Sequence, residues 1–286
     1  MSQTFETSKN TTIARMGVGG VQYLIERAYR EGSEVQYLRE VTKNALEAGA
    51  TRIEFGPEWR AVERDGVYRL MAADNGKGMA PHEQLKFLNT FGGGGKPIGD
   101  AHEKFGVGAK TSLLPWNHAG IVVLSWVEGD PDGSMIILQR DPKTGEYGAR
   151  RFETEDGSFE EVVRPHGEFG DLKPEWIKTH GTVVICLGNT GKEDTFLGKD
   201  GNGDLKGISA YLNKRFWELG EGVNITCRNS GVKSAKTGQK ASPKRAHRRH
   251  RWMDRSIPGG IGAALGAPNA SWWSLPPKES LKPRAL

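Results

Sequence analysis

EKFGVGAKTS, residues 103–112, raises the question whether this chain has a phosphate-binding loop and, if so, of which kind. Glycines followed by Lys110 and Thr111 suggest a phosphate loop of the form G-x-x-x-x-G-K-[ST], in which backbone amides cradle phosphate and a glycine directly precedes the lysine. Here Ala109 precedes Lys110, and Lys104 stands where the first glycine belongs. The upstream run GGGGKP (92–97) fails as well, because Pro97 follows Lys96 where a hydroxyl residue is required. What remains is a glycine-rich stretch, Gly92 to Gly108, too flexible for a fixed wall, that runs into a predicted helix over KTSLLPW (110–116). Backbone N–H groups at a helix N-terminus can bind phosphate without a lysine in the loop, and Lys110 adds charge. The bland alternative is a mobile surface loop, although a glycine-rich loop this long is more often functional than idle.

Upstream, VQYLIERAYREG (21–32) and EVQYLREVTKNALEAGA (34–50) carry apolar residues at three- and four-residue spacing and read as helices, the second stopped at Gly49. TRIEFG (51–56) and GVYRLMAADN (66–75) read as strands, and PHEQLKFLNTFG (81–92) as a helix with proline in its first turn. Downstream, GIVVLSWVEG (120–129), GSMIILQRD (133–141) and HGTVVICLG (180–188) are β-branched strands. The polar residues 140–178 read as a ribbon or long loops, LKGISAYLNKRFWELG (205–220) as an amphipathic helix and GVNITCR (222–228) as a closing strand.

Three further segments carry chemistry. On the second helix, Glu40, Asn44 and Glu47 fall within about 60° of one another at 100° per residue, beside an apolar face of Leu38, Val41, Ala45 and Ala48. Such a triplet points either into a pocket or into solvent. Asp74 ends a strand at the mouth of the turn NGKGM (75–79). A carboxylate there can accept a hydrogen bond from an exocyclic amine, while Gly76 and Gly78 allow a flat base close to the backbone; an ordinary turn has the same residues. Thr182 opens an apolar strand and can offer its hydroxyl to a base edge or to water.

In this order the four segments resemble the GHKL ATPases, the superfamily of gyrase-type topoisomerases, ninety-kilodalton heat-shock chaperones, histidine kinases and mismatch-repair ATPases. The resemblance covers roughly residues 15–227 and rests on Glu40–Ala48 (E-x-x-x-N-A-x-[DE]-A), on Asp74, Gly76 and Gly78 followed by Met79 (D-x-G-x-G), on Gly106 and Gly108 ending a glycine-rich lid, and on Gly181–Thr182. It implies an α+β fold, the Bergerat two-layer α/β sandwich, with a mixed, mainly antiparallel sheet, helices on one face and a glycine-rich ATP lid. It implies ATP and Mg²⁺ as cofactors. Glu40 would be the general base that activates water, and Asn44 the magnesium ligand. Asp74 would recognise the adenine amine with Thr182 in support. Gly106, Val107, Gly108, Ala109 and Lys110 would hold phosphates, and Glu47, Gly76, Gly78 and Met79 would complete the nucleotide site.

NALEAGAT and KFGVGAKTS resemble the hydrolysing, MORC- or chaperone-like branch, which implies a slow ATPase working as a conformational switch and an ATP-dependent homodimer. A histidine- or serine-type kinase domain and a non-hydrolysing ATP sensor stay open as alternatives. Hydrolysing relatives usually carry a second α/β domain, and nothing after Arg228 has the periodicity to build one. The expectation is therefore either a minimal ATPase module or a chain cut short, its tail resembling a GC-rich gene read out of frame.

Composition sets the outer bounds. Of the net charge of +5, residues 228–286 carry +11, with 13 Lys and Arg against 2 Asp and Glu, which leaves −6 on the first 227 residues. The chain thus reads as a segment 1–16 that could reach across to a partner or simply fray, an acidic ATP-binding domain 17–227, and a basic tail 228–286 disordered by composition. The tail either binds nucleic acid through its phosphates or has no role. Cys186 and Cys227 give neither a metal spacing nor a disulfide framework. MSQTFETSKN lacks the apolar core of a secretory signal, and no stretch is apolar enough to span a membrane. Both point to a cytoplasmic protein with no membrane partner.

Overall fold

A computed structural model describes residues 20–90, 107–197, 199, 207–216, 218–228 and 249–251. The chain divides into two units, Met1–Met253 and Asp254–Leu286, and every described residue falls in the first. The fold is α+β. Among the described residues there are six helices: α1 (Val21–Glu31), α2 (Gln36–Glu47), α3 (Trp59–Asp65), α4 (Pro81–Leu88), α5 (Val107–Leu113) and α6 (Ile208–Arg215). The strands are β1 (Arg52–Pro57), β2 (Leu70–Asp74), β3 (Ile121–Trp126), β4 (Ser134–Arg140), β5 (Tyr147–Ala149), β6 (Phe152–Glu153), β7 (Phe159–Glu160), β8 (Val162–Val163), β9 (Gly181–Cys186), β10 (Asn224–Arg228) and β11 (Arg249–Arg251).

The main sheet runs β11-β10-β1-β2-β9-β3-β4-β5, with β8 also on β4, while β6 and β7 form a separate hairpin. Among the described residues only β1 and β10 pair in parallel; the other neighbours are antiparallel. The expected mixed, mainly antiparallel sheet is therefore present. The sequence reading stops regular structure at Arg228, yet Arg249–Arg251 adds a strand to β10. A sheet edge leaves a row of unpaired N–H and C=O groups that any nearby extended segment can satisfy.

Period-two alternation sorts each central strand between two cores. Ile121 and Val123 of β3, Leu70 and Ala72 of β2, and Ile53 and Phe55 of β1 face a cluster shared with Ile25, Leu38, Ala45, Leu113 and Leu212 of the helices. Val122 and Leu124, Met71 and Ala73, and Val183 and Ile185 of β9 face a second cluster completed by Phe169, Leu172, Ile177 and Trp59. Burial on both faces explains why IVVLSW and GTVVIC read as continuous apolar runs. The far face is thus closed largely by the irregular chain around residues 169–177. No helix among the described residues is long and apolar enough to cross a membrane.

Helix α3 was not expected from the sequence. Its N-cap is Glu58, whose carboxylate accepts from Arg60 N at 2.6 Å and from Ala61 N at 2.9 Å, and its C-cap is Gly66 at φ 69°. Burial pushes the Glu58 carboxyl above its usual range, against the pull of the two amides and of Arg69 and Arg64. Glu58→Ala removes the cap and is expected to cost about 1 kcal/mol, read as a lower urea midpoint at unchanged slope.

Candidate functional site

Between α2, α4 and α5 on one side and the helix-facing side of the sheet on the other lies a cavity of about 400 Å³. Its floor comes from strand alternation. Asp74 and Thr182 are cross-strand partners of β2 and β9, and Thr182 in turn faces Ser125 of β3. Val184 continues the floor two residues further along β9, and Val123 and Ile121 two and four residues back along β3. One wall is the face of α2 formed by Val41, Asn44, Ala45 and Ala48, residues at three- and four-residue spacing. The opposite wall brings Glu83, Lys86 and Phe87 of α4 together with Ala109, Lys110 and Leu113 of α5. Asp74 and Glu83 are the acidic lining residues and Lys77, Lys86 and Lys110 the basic ones, so the cavity has an acid at its floor and an excess of positive charge around it.

Asp74 is 9 % exposed, and burial pushes its carboxyl up to about 7; the Gly76 amide, and beyond it His180, pull the other way. One carboxylate oxygen accepts from Gly76 N at 2.8 Å, which leaves the second to a ligand. Gly78 has φ 71°, and a side chain there would put its Cβ 2.0 Å from the Trp126 carbonyl oxygen, so the turn can lie against β3 only with glycine at this position. Met79 N donates to Ser125 Oγ at 2.7 Å.

Lys110 is 4 % exposed, and burial lowers its ammonium to about 8. It does not extend toward solvent. Its Nζ donates to Phe87 O at 2.7 Å and to Thr90 O at 2.5 Å, the carbonyls at and just beyond the end of α4. The lysine therefore compensates the negative end of α4 while remaining on the cavity wall, from which a phosphate could draw it.

The expected site residues differ in their relation to this cavity. Asn44, Asp74, Gly78, Met79, Ala109, Lys110 and Thr182 are brought together as lining. Gly76 supports Asp74 from outside the lining, and Val107 and Gly108 form the first turn of α5 behind it. Glu40 is buried beside the wall, paired with Arg39, and packs so closely on α5 that a Cβ at Gly108 would lie 2.1 Å from its Oε2. Glu47 is turned away: it is exposed, pairs with Lys43 at 3.2 Å, and contributes nothing to the cavity. The i,i+4 geometry that favours this ion pair holds it on the solvent face. Gly106 and the glycine-rich stretch before it lie outside the described residues.

The sequence reading missed the apolar lining of Phe87, Leu113, Ile121, Val123, Leu138 and Val184. Part of it was available, because counting in twos from Thr182 gives Val184, and counting in threes and fours from Asn44 gives Val41 and Ala48. Comparison with models of known protein families finds no match, and no curated protein matches the sequence.

Proposed function

We propose that this chain is a Mg²⁺-dependent ATP-binding and hydrolysing domain that works as a nucleotide-driven conformational switch. The observation that carries the reading is the pairing of Asp74 with Thr182 on the floor of a cavity whose wall also holds Asn44 and Lys110. A buried carboxylate and a hydroxyl side by side suit an amine-bearing purine edge, and the apolar lining suits its faces. Asn44 offers one neutral oxygen, which suits a magnesium ion held mainly by phosphates and water; bound there, the ion would neutralise phosphate charge. Lys110 exchanges the Phe87 and Thr90 carbonyls for phosphate oxygens, which couples ligand binding to the segment leading out of α4. Glu40 takes the proton from the attacking water once α5 moves off its carboxylate.

The position of Glu40 behind Gly108, outside the lining, favours a second reading, in which nucleotide binding alone is the output. Isothermal titration of the whole chain with ATP, GTP and ADP, with and without magnesium, tests the shared part. Saturable ATP binding that GTP does not match is expected; absence of any heat with ATP and magnesium overturns both readings.

A further inference from the structure

Every residue of the turn that carries Asp74 is tethered. Asn75 Oδ1 accepts from Thr51 N at 2.9 Å and Arg52 N at 2.7 Å. Lys77 N donates to Ala48 O at the end of α2 at 3.0 Å. Gly78 lies against Trp126 O, and Met79 N is fixed to Ser125 Oγ, whose own hydroxyl donates to Gly181 O at 3.3 Å. Gly76 is held at both ends, by its N–H to Asp74 Oδ1 at 2.8 Å and by its carbonyl to His180 Nδ1 at 2.7 Å. The carbonyl can only accept, so His180 carries its proton on Nδ1. His180 is half-buried, and it immediately precedes the Gly181–Thr182 pair that begins β9.

His180 belongs to none of the motifs that identified the site, and it touches neither the cavity nor the Asp74 carboxylate oxygens through any described hydrogen bond. Its contact is with the peptide group next to the one that engages Asp74. Without that contact the peptide joining Gly76 to Lys77 is held only through the Lys77 N–H on Ala48 O, and glycine has the widest backbone freedom of any residue. The amide that commits one Asp74 oxygen to the protein and leaves the other for a ligand would then be less firmly fixed.

We propose that His180 is a positioning residue for the floor of the cavity: it locks Gly76 so that Asp74 presents one oriented carboxylate oxygen, and thereby sets discrimination for an amine on the bound base. The identity of the base rests on the nucleotide reading above; the lock itself does not. Two variants and two measurements test it. His180→Ala removes the donor, and His180→Asn restores one at nearly the same place. Titration with ATP and with inosine triphosphate, which has a carbonyl in place of the exocyclic amine, is expected to show about a tenfold loss for ATP in His180→Ala, the equivalent of one buried hydrogen bond. Inosine triphosphate binding stays as in the parent protein, and His180→Asn keeps the parent preference. A purely structural role would weaken both nucleotides equally and would overturn the proposal. Amide hydrogen exchange at Gly76 in the unliganded chain is the second measurement, with exchange about tenfold faster expected in His180→Ala and not in His180→Asn. Equal protection in His180→Ala overturns the proposal whether or not ATP binds. Faster exchange in a protein whose parent ignores ATP leaves the lock in place and removes only the nucleotide reading.

Discussion

Asp74→Asn is expected to weaken ATP binding by at least about 100-fold and, at pH 8, to raise the thermal midpoint of the unliganded protein. Both effects follow from one burial. A carboxyl held at about 7 instead of 3.8 costs up to about 4 kcal/mol when ionised, at roughly 1.4 kcal/mol per pH unit. Relaxation around a cavity-facing group reduces this, so about 2 kcal/mol is a reasonable expectation, or roughly 4–8 °C for a domain of this size. Asparagine keeps an oxygen for the Gly76 amide and carries no charge. Its NH₂ group, however, meets the base amine donor to donor. The pH dependence has a definite sign. The folded-state value lies above the unfolded one, so the parent protein loses stability as pH rises from about 4 to 7. The advantage of the variant is therefore absent near pH 4 and complete above pH 7. Binding runs the other way, because protonation puts an O–H donor on the carboxyl and removes its charge, so the acid is a weaker acceptor for the amine than the carboxylate. Parent affinity for ATP is expected to fall as pH drops below 7 and to level off once the carboxyl is protonated. Scanning fluorimetry from pH 4 to 8 with calorimetry at each end checks all three statements. A variant that binds ATP like the parent, or that melts lower at pH 8, contradicts them.

How much of this was legible beforehand depended on whether the signal was local. The α2 face of Asn44, the strand ending in Asp74 and the strand opening at Thr182 each follow from a periodicity or a turn signature within a dozen residues. Their convergence also follows once β2 and β9 are neighbours. Helix α3 was hidden because seven residues are too few to show a helical period, and because its cap is a glutamate, not one of the usual N-cap residues. The cover of the second sheet face was hidden for a different reason. Phe169, Leu172 and Ile177 bury themselves without belonging to any regular element, so no period marks them. Lys110 and Glu47 show the limits of residue type: a lysine after glycines reads as a phosphate ligand, and an acid one turn beyond Asn44 reads as part of its triplet. Tertiary contacts instead give the first a pair of carbonyls and the second a surface lysine.

Glu40→Gln is expected to lower ATP turnover by about 10²–10⁴-fold, the usual contribution of a positioned base, while leaving the affinity for ATP within about twofold. Glutamine preserves the shape of the buried side chain and an oxygen for Arg39, so the contact with Gly108 and the packing of α2 on α5 persist. What it cannot do is take a proton. Glu47→Gln is the matched control: it lies on the same helix, two turns from Glu40, and its ion pair with Lys43 is partly exposed and worth little. Its turnover is expected to stay within about twofold of the parent. Phosphate release in a single-turnover format, alongside calorimetry, separates the cases. If both variants bind ATP and only Glu40→Gln stalls, Glu40 is the base, and α5 must leave its carboxylate during the cycle, since in the present arrangement Gly108 packs against that carboxylate, which lies outside the cavity lining. If the parent binds ATP and releases no phosphate, the close packing of Gly108 on Glu40 is the resting arrangement of a domain whose output is binding alone. If Glu40→Gln turns over like the parent, the catalytic assignment of Glu40 fails while the Asp74–Thr182 floor is untouched, because Glu40 lies outside the cavity lining to which Asp74 and Thr182 belong.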